Sequence, residues 1–209
     1  HVGTHAAQLG RDATLQMGHV TLGGDVVRMN PTVSYAAPGG DAELLGLYFA
    51  EAGQHLEHRM FVDHDTPHCR SSVLYKGALQ GDGAHTVWIG DVLVRANAIG
   101  TDTYEVNRNL VLSDGARADS VPNLELETGE IVGAGHASAT GRFDDEQLFY
   151  LQARGIPEDV ARLLVVRGFF ADVLSRLGLA DLTREVMKQV DERLGVDGGE
   201  GEQDDQVAS

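Results

Sequence analysis

Residues 55–62 read HLEHRMFV. On an extended chain Leu56, His58, Met60 and Val62 share one side, and Glu57, Arg59 and Phe61 the other. A period of two marks a β-strand with one buried face. The pattern recurs further along. From Thr86 to Val94, Val87 and Ile89 alternate with Trp88, and Val92 and Val94 continue one face. Leu110 and Leu112 alternate with Asn109 and Val111, and Leu124 and Leu126 with Glu125 and Glu127. Turn clusters separate these runs: Gly23-Gly24-Asp25, Pro38-Gly39-Gly40-Asp41, Asp63 to Pro67, Gly81-Asp82-Gly83, Asn97 to Asp102 and Ser113-Asp114-Gly115. Gly accepts positive φ, and Asp or Asn bonds the turn backbone. Residues 1–142 therefore predict a β body. Two architectures stay open, an antiparallel sandwich or barrel and a solenoid of stacked coils. A solenoid leaves an open edge at each end, and an open edge invites a partner strand.

At residue 143 the period changes. Asp144 is the expected N-cap of a first helix, with Gln147 in capping-box position. Leu148 and Leu151 share its face, and Gly155 ends it. Pro157 suits the first position of a second helix, with Glu158 and Asp159 favouring its dipole. Val160, Leu163, Leu164, Arg167, Phe170, Val173, Leu174 and Leu177 form a helical stripe closed by Gly178. A third helix is expected from near Asp181, with Leu182, Val186, Val190 and Leu194 spaced by four and Gly195 as its stop. Gly168 inside the second helix predicts either close helix packing or, with Phe169 and Phe170, an aromatic pair for a partner. Residues 143–194 thus read as a helical subdomain. The stretch 195–209, GVDGGEGEQDDQVAS, holds five carboxylates and no basic residue, and is expected to be a disordered acidic tail.

The whole chain has 209 residues and a net charge of −16, of which −5 belongs to that tail. This balance argues against nucleic-acid binding, which needs clustered Lys and Arg, and against an anionic membrane surface. No apolar run is long enough to span a bilayer. The single Cys69 excludes an internal disulfide and fits a reducing compartment. The chain begins with His1, so a fragment of something longer is expected.

Few residues carry recognisable chemistry. His55, His58, Asp63, His64, His68 and Cys69 form the densest set of metal-type ligands. However, His55 and His58 point to opposite faces of a strand, and Asp63 to Pro67 read as a turn. His136 lies among small residues, Gly133-Ala134-Gly135-His136-Ala137-Ser138-Ala139-Thr140, which leave an imidazole accessible. Gly133 and Gly135 lack the third glycine of a dinucleotide loop. There is no phosphate-binding Walker sequence and no Gly-x-Ser-x-Gly elbow. Nothing marks Cys69 as a nucleophile.

Three longer stretches are more specific. FDDEQLFYLQARGIPEDVARLLVVRGFFADVL (residues 143–174) resembles the C-terminal signature of the SufB/SufD family of iron–sulfur cluster assembly scaffolds. LYFAEAGQHLEHRMFVDHDTPHCRSSVLYKGAL and NRNLVLSDGARADSVPNLELETGEIVGAGHASATG resemble the same family. SufB-like chains show Glu-His-Glu before an Ala-Thr, and SufD-like chains show Cys-Ser-His-Gly-Ala-Thr. Here the run from Ala134 to Thr140 keeps the histidine of the SufD type, as His136, and has Ala134 where the cysteine falls.

The resemblance implies a right-handed parallel β-helix followed by a small helical subdomain, in a chain whose family members are about twice as long and whose N-terminal half is missing here. It implies a non-catalytic, cytoplasmic (or plastid stromal) scaffold subunit. The implied partners are a SufB-like subunit, met through the β-helix, and a SufC-like ABC-type ATPase, docked through the C-terminal helices; a homodimer in isolation stays open. No cofactor is expected on the chain alone, only a transient iron–sulfur cluster in the complex. His136 becomes the expected iron ligand at the partner interface, and any thiolate would come from the partner. Leu163, Arg167, Phe169 and Phe170 become candidates for packing the helices or touching the ATPase. The alternatives weighed against this are a stand-alone β-solenoid enzyme, with Asp114 and Asp119 as paired carboxylates, and a His-rich metal-binding protein.

Overall fold

A computed structural model describes residues 1–143 and 145–195, and of Asp145 and Gln147 only the backbone. The expected cap formed by Asp144 and Gln147, and the tail beyond residue 195, lie outside the described residues. Ten strands come first: β1 (Val2–Leu9), β2 (Thr14–Thr21), β3 (Val26–Tyr35), β4 (Asp41–Ala50), β5 (His55–His64), β6 (Arg70–Leu79), β7 (His85–Val94), β8 (Asp102–Val111), β9 (Arg117–Leu126) and β10 (Gly133–Arg142). Three helices follow: α1 (Asp145–Gln152), α2 (Glu158–Leu177) and α3 (Ala180–Arg193).

Consecutive strands do not pair with each other. Odd strands form one sheet in the order β1-β3-β5-β7-β9, and even strands a second, β10-β8-β6-β4-β2. Every pairing is parallel. Each coil is therefore one odd and one even strand, and the chain is a parallel β-helix rather than an antiparallel sandwich or barrel. His55 stands beside His85, and His85 beside Arg117, so successive coils repeat side-chain positions in columns.

The inward columns explain the alternation. Leu56, Met60 and Val62 of β5 point in, as do Trp88, Val92 and Val94 of β7. On β8 the inward residues are Thr103, Glu105, Asn107 and Asn109, all buried, while Leu110 packs outward with the helices. The Leu110–Leu112 alternation thus marks an outer apolar face. In the middle coils the interior is closed by exchange of size. Tyr48 of β4 lies over Gly77 of β6, and Tyr75 of β6 lies over Gly46 of β4. A Cβ at either glycine would fall inside the neighbouring ring.

The even sheet is apolar on its outer face as well. Leu45, Leu47 and Phe49 of β4 and Leu74 and Ala78 of β6 form a second core with α2 and α3. Phe170, Val166 and Val173 are fully buried there, and complete burial of such a side chain contributes roughly 1.5–3 kcal/mol. Lys76 is buried at this junction. Its ammonium donates to the Phe169 carbonyl at 2.9 Å and lies 3.3 Å from the Asp172 carboxylate. Pro157 is the cap residue, with ψ 150, one position before its expected place. Gly178 ends α2 in the left-handed conformation, its N–H bonded to the Leu174 carbonyl. Gly168 is not a point of close packing, because a Cβ there would meet nothing within 4 Å.

Gly77→Ala tests the interior. The added methyl collides with the Tyr48 ring, and overpacking of this kind lowers stability by about 1–3 kcal/mol. The expected readout is a lower urea midpoint for the full chain; an unchanged midpoint would contradict the interlock.

Candidate functional site

The β-helix changes character at its last coil. In β3 to β8 every second residue is buried or nearly so, but no residue of β9 or β10 is buried. Each of these strands has a neighbour on one side only. Their outer edges present unpaired backbone groups, as the end of any ladder must. The interior also turns polar there. Asn107 donates to Tyr48 Oη at 2.9 Å, Tyr48 donates to Asn109 Oδ1 at 2.6 Å, and Asn109 donates to Asn107 Oδ1 at 2.8 Å. Ser120 of β9 donates to Asn107 Oδ1 at 2.8 Å and ties the two sheets together.

His136 sits on this last coil. Glu105 of β8 is its strand partner, and both occupy inward positions. The His136 side chain is 45% exposed, whereas that of Glu105 is completely buried. His136 Nδ1 and Glu105 Oε1 are 3.8 Å apart, too far for a hydrogen bond. Neither carboxylate oxygen of Glu105 has a hydrogen-bond partner. One oxygen and the edge of the Trp88 indole crowd the same side of Gly90. Burial, with the Asp91 charge adding to it, pushes the Glu105 carboxyl up to about 8. Ala134 lies two residues before His136 on the same face, so a cysteine there would have stood beside the imidazole.

The other expected groups are dispersed. His58 and His64 face the interior, where His58 Nε2 meets Thr21 Oγ1 at 3.1 Å and His64 Nε2 meets Ser71 Oγ at 2.9 Å. Burial holds His58 down to about 3 and His64 to about 4. His55 is on the outer face, its Nδ1 3.1 Å from that of His85. Asp63 is engaged by Arg95 at 2.8 Å, and His68 is a turn residue with φ 59. Cys69 is buried, bonded weakly to the carbonyls of Ala37 and Pro67, and burial raises its thiol. Among the described residues no three His, Cys, Asp or Glu side chains converge on one point. Asp114 pairs with Arg142, and Asp119 with His85 and Arg117, so each carboxylate answers its own cation.

The helical positions also divide. Leu163 and Phe170 are both buried within the chain, and Phe170 belongs to its second core, so packing is the role their burial supports. Arg167 forms a two-pronged ion pair with Asp191 of α3, and Phe169 lies partly buried beside Lys76. Among the described residues of the helical region, the large apolar side chains that are exposed are Phe149, Tyr150, Leu164 and Leu179. Leu164 was read in the sequence as part of the α2 stripe; Glu105 was not singled out there at all. Its only signal there is an acidic residue at an inward position of an alternating run.

The fold is a parallel β-helix with helices packed on one sheet and a histidine at its open polar end. The profile described as "SUF system FeS cluster assembly, SufBD core domain" matches residues 1–169. The chain belongs to that family. It is 63% identical over 202 residues to an iron-sulfur cluster assembly SufBD family protein of Mycobacterium tuberculosis, covering 94% of this chain and 51% of that protein. The corresponding protein of Mycobacterium leprae is 60% identical, with 94% and 52% covered. The iron-sulfur cluster assembly protein SufD of Escherichia coli is 29% identical over 186 residues, with 89% and 44% covered. The chain spans about half the length of the curated relatives it matches. Among the described residues no helix is long and apolar enough to cross a membrane.

The buried histidines make acid stability testable. His58 stays neutral in the fold down to about 3 and would protonate near 6.5 in the unfolded chain. The unfolded state thus binds more protons as pH falls below 6.5, and stability declines through that window. His58→Gln, which keeps a polar partner for Thr21, should flatten the decline between pH 6.5 and 4 by up to about 1.4 kcal/mol per pH unit. Urea midpoints across that range check it; an unaltered slope would contradict a neutral buried His58.

Proposed function

We propose that this chain is part of a SufD-like, non-catalytic scaffold subunit for iron–sulfur cluster assembly, acting in a reducing compartment such as the cytoplasm. It pairs with a SufB-like subunit through the open end of the β-helix. It docks a SufC-like ATPase through its C-terminal helices. His136 is an iron ligand at the interface with the SufB-like subunit, and the nascent cluster is the cargo of the complex rather than a resident cofactor. Any thiolate comes from the partner, because Ala134 occupies the cysteine position.

The observation that carries this reading is the unpaired, unburied last coil with His136 on its inward face. Strand addition needs free backbone groups on a ladder edge, and β9 and β10 supply two such edges. A partner seated there would enclose His136 and exclude water from a bound cation, which strengthens its electrostatic interactions. Exposed Phe149, Tyr150 and Leu164 support docking by the helices, since aromatic and aliphatic anchors dominate interface energetics.

Co-expression of the full-length protein with SufB-like and SufC-like chains tests the assembly. His136→Ala should leave the complex intact and lower cluster formation about tenfold or more; full cluster yield in the intact complex would overturn the role of His136. Leu164→Asp should weaken ATPase retention without lowering the melting temperature, since Leu164 is half-exposed. Undiminished retention would remove that face from the docking surface. Phe170→Ala, by contrast, should destabilise the chain by about 3–5 kcal/mol, read in the same melting experiment.

A further inference from the structure

We infer that Glu105 is a second ligand for the iron bound at His136, so that this chain offers one imidazole nitrogen and one carboxylate oxygen to a divalent iron ion. The inference rests on the reading of His136 given above and adds the donor beneath it.

The first ground is the isolation of Glu105. Its side chain is fully buried, and neither oxygen has a hydrogen-bond partner. A buried carboxylate without donors is strongly unfavourable. Its neighbours in the same column of β8 are treated differently. Asn107 and Asn109 are both tied into a bonded network with Tyr48, Ser120 and each other. The polar inward face of β8 therefore satisfies its amides and leaves its acid open.

The second ground is direction and spacing. Glu105 stands next to His136 in register, one coil deeper, and both point inward. The 3.8 Å between Oε1 and Nδ1 is too long for a hydrogen bond. It is a separation that two metal–ligand bonds of about 2.0–2.2 Å can span. A histidine–carboxylate contact on the outer face of the β-helix differs. His85 Nε2 and Asp119 Oδ2 are 2.8 Å apart on the outer face and form a closed hydrogen bond. The gap at Glu105 is not closed in that way.

The third ground is access and donor type. The way in is from the free end, past a half-exposed imidazole flanked by Gly135 and Ala137. A nitrogen and a hard oxygen suit a divalent first-row ion such as Fe²⁺ and disfavour a soft monovalent one. Two ligands leave the remaining coordination positions to water or to a partner's donors.

Co²⁺, a spectroscopic stand-in for Fe²⁺, is titrated anaerobically into the full-length protein and into Glu105→Gln, Glu105→Asp and His136→Ala. The wild type should bind one ion with an absorption band that both Glu105→Gln and His136→Ala weaken, affinity falling about tenfold or more. Glu105→Asp should retain part of it. The melting temperature of Glu105→Gln should equal or exceed that of the wild type, because an amide replaces an unpartnered carboxylate. A merely structural Glu105 would lower stability on substitution and leave Co²⁺ binding unmoved. Glu105→Leu, which fills the same space, is the second variant and should also lose the ion. Unchanged Co²⁺ affinity in the Glu105 variants, or no Co²⁺ bound by the wild type at His136, overturns the inference. If His136→Ala alone lowers cluster yield in the complex, with the Glu105 variants at wild-type yield and affinity, the inference fails and the reading of His136 stands. If His136→Ala leaves cluster yield whole, both fail.

Discussion

Parallel strands that are not consecutive in sequence can pair only if each coil returns the chain to the same place. That return is the constraint on which this molecule depends. It stacks position upon position, so that each interior side chain must fit the one before and after it in its column. Tyr48 over Gly77 and Tyr75 over Gly46 are the closest case. The turns are short because the strands are all close to the same length, and the turn glycines and aspartates follow from that economy of chain.

Columns also explain why the site lies where it does. An apolar column needs a further apolar layer above it, or its last layer meets water. Here the columns of β8 end in Thr103, Glu105, Asn107 and Asn109, and those of β10 in His136, Ser138 and Thr140. The interior becomes polar before the ladder stops, which reduces the penalty of an uncovered end. The same arrangement lifts a histidine and a carboxylate to the mouth of the β-helix. Placement of polar chemistry and solubility of the end are thus one solution.

The alternation in 55–62 and 86–94 was legible because it is set by which residues are inside. The choice between parallel and antiparallel pairing was not, since both impose the same period of two. Likeness to the SufB/SufD family carried that choice, through long stretches rather than short motifs. The face of β8 was misread for a physical reason: Leu110 is apolar because helices cover the outside, and Asn109 is polar because the inside is bonded to Tyr48. The stripe of α2 was legible as a helix, but its direction was not. Phe170 read equally well as core or as surface until the apolar outer face of β4 and β6 was seen to claim it. His136 stood out by its small neighbours; Glu105 did not, because a burial without partners leaves no trace in composition.

The tyrosine–glycine exchange has a mechanical side. Tyr48 is wedged against β6 and hydrogen-bonded to Asn109 of β8, while the outer faces of β4 and β6 carry α2. Three successive strands and a helix are thereby keyed to one another like teeth on a shaft. Play between these coils is small, because sliding one past the next would drive a ring into backbone. The helical subdomain and the middle of the β-helix therefore form one packed body.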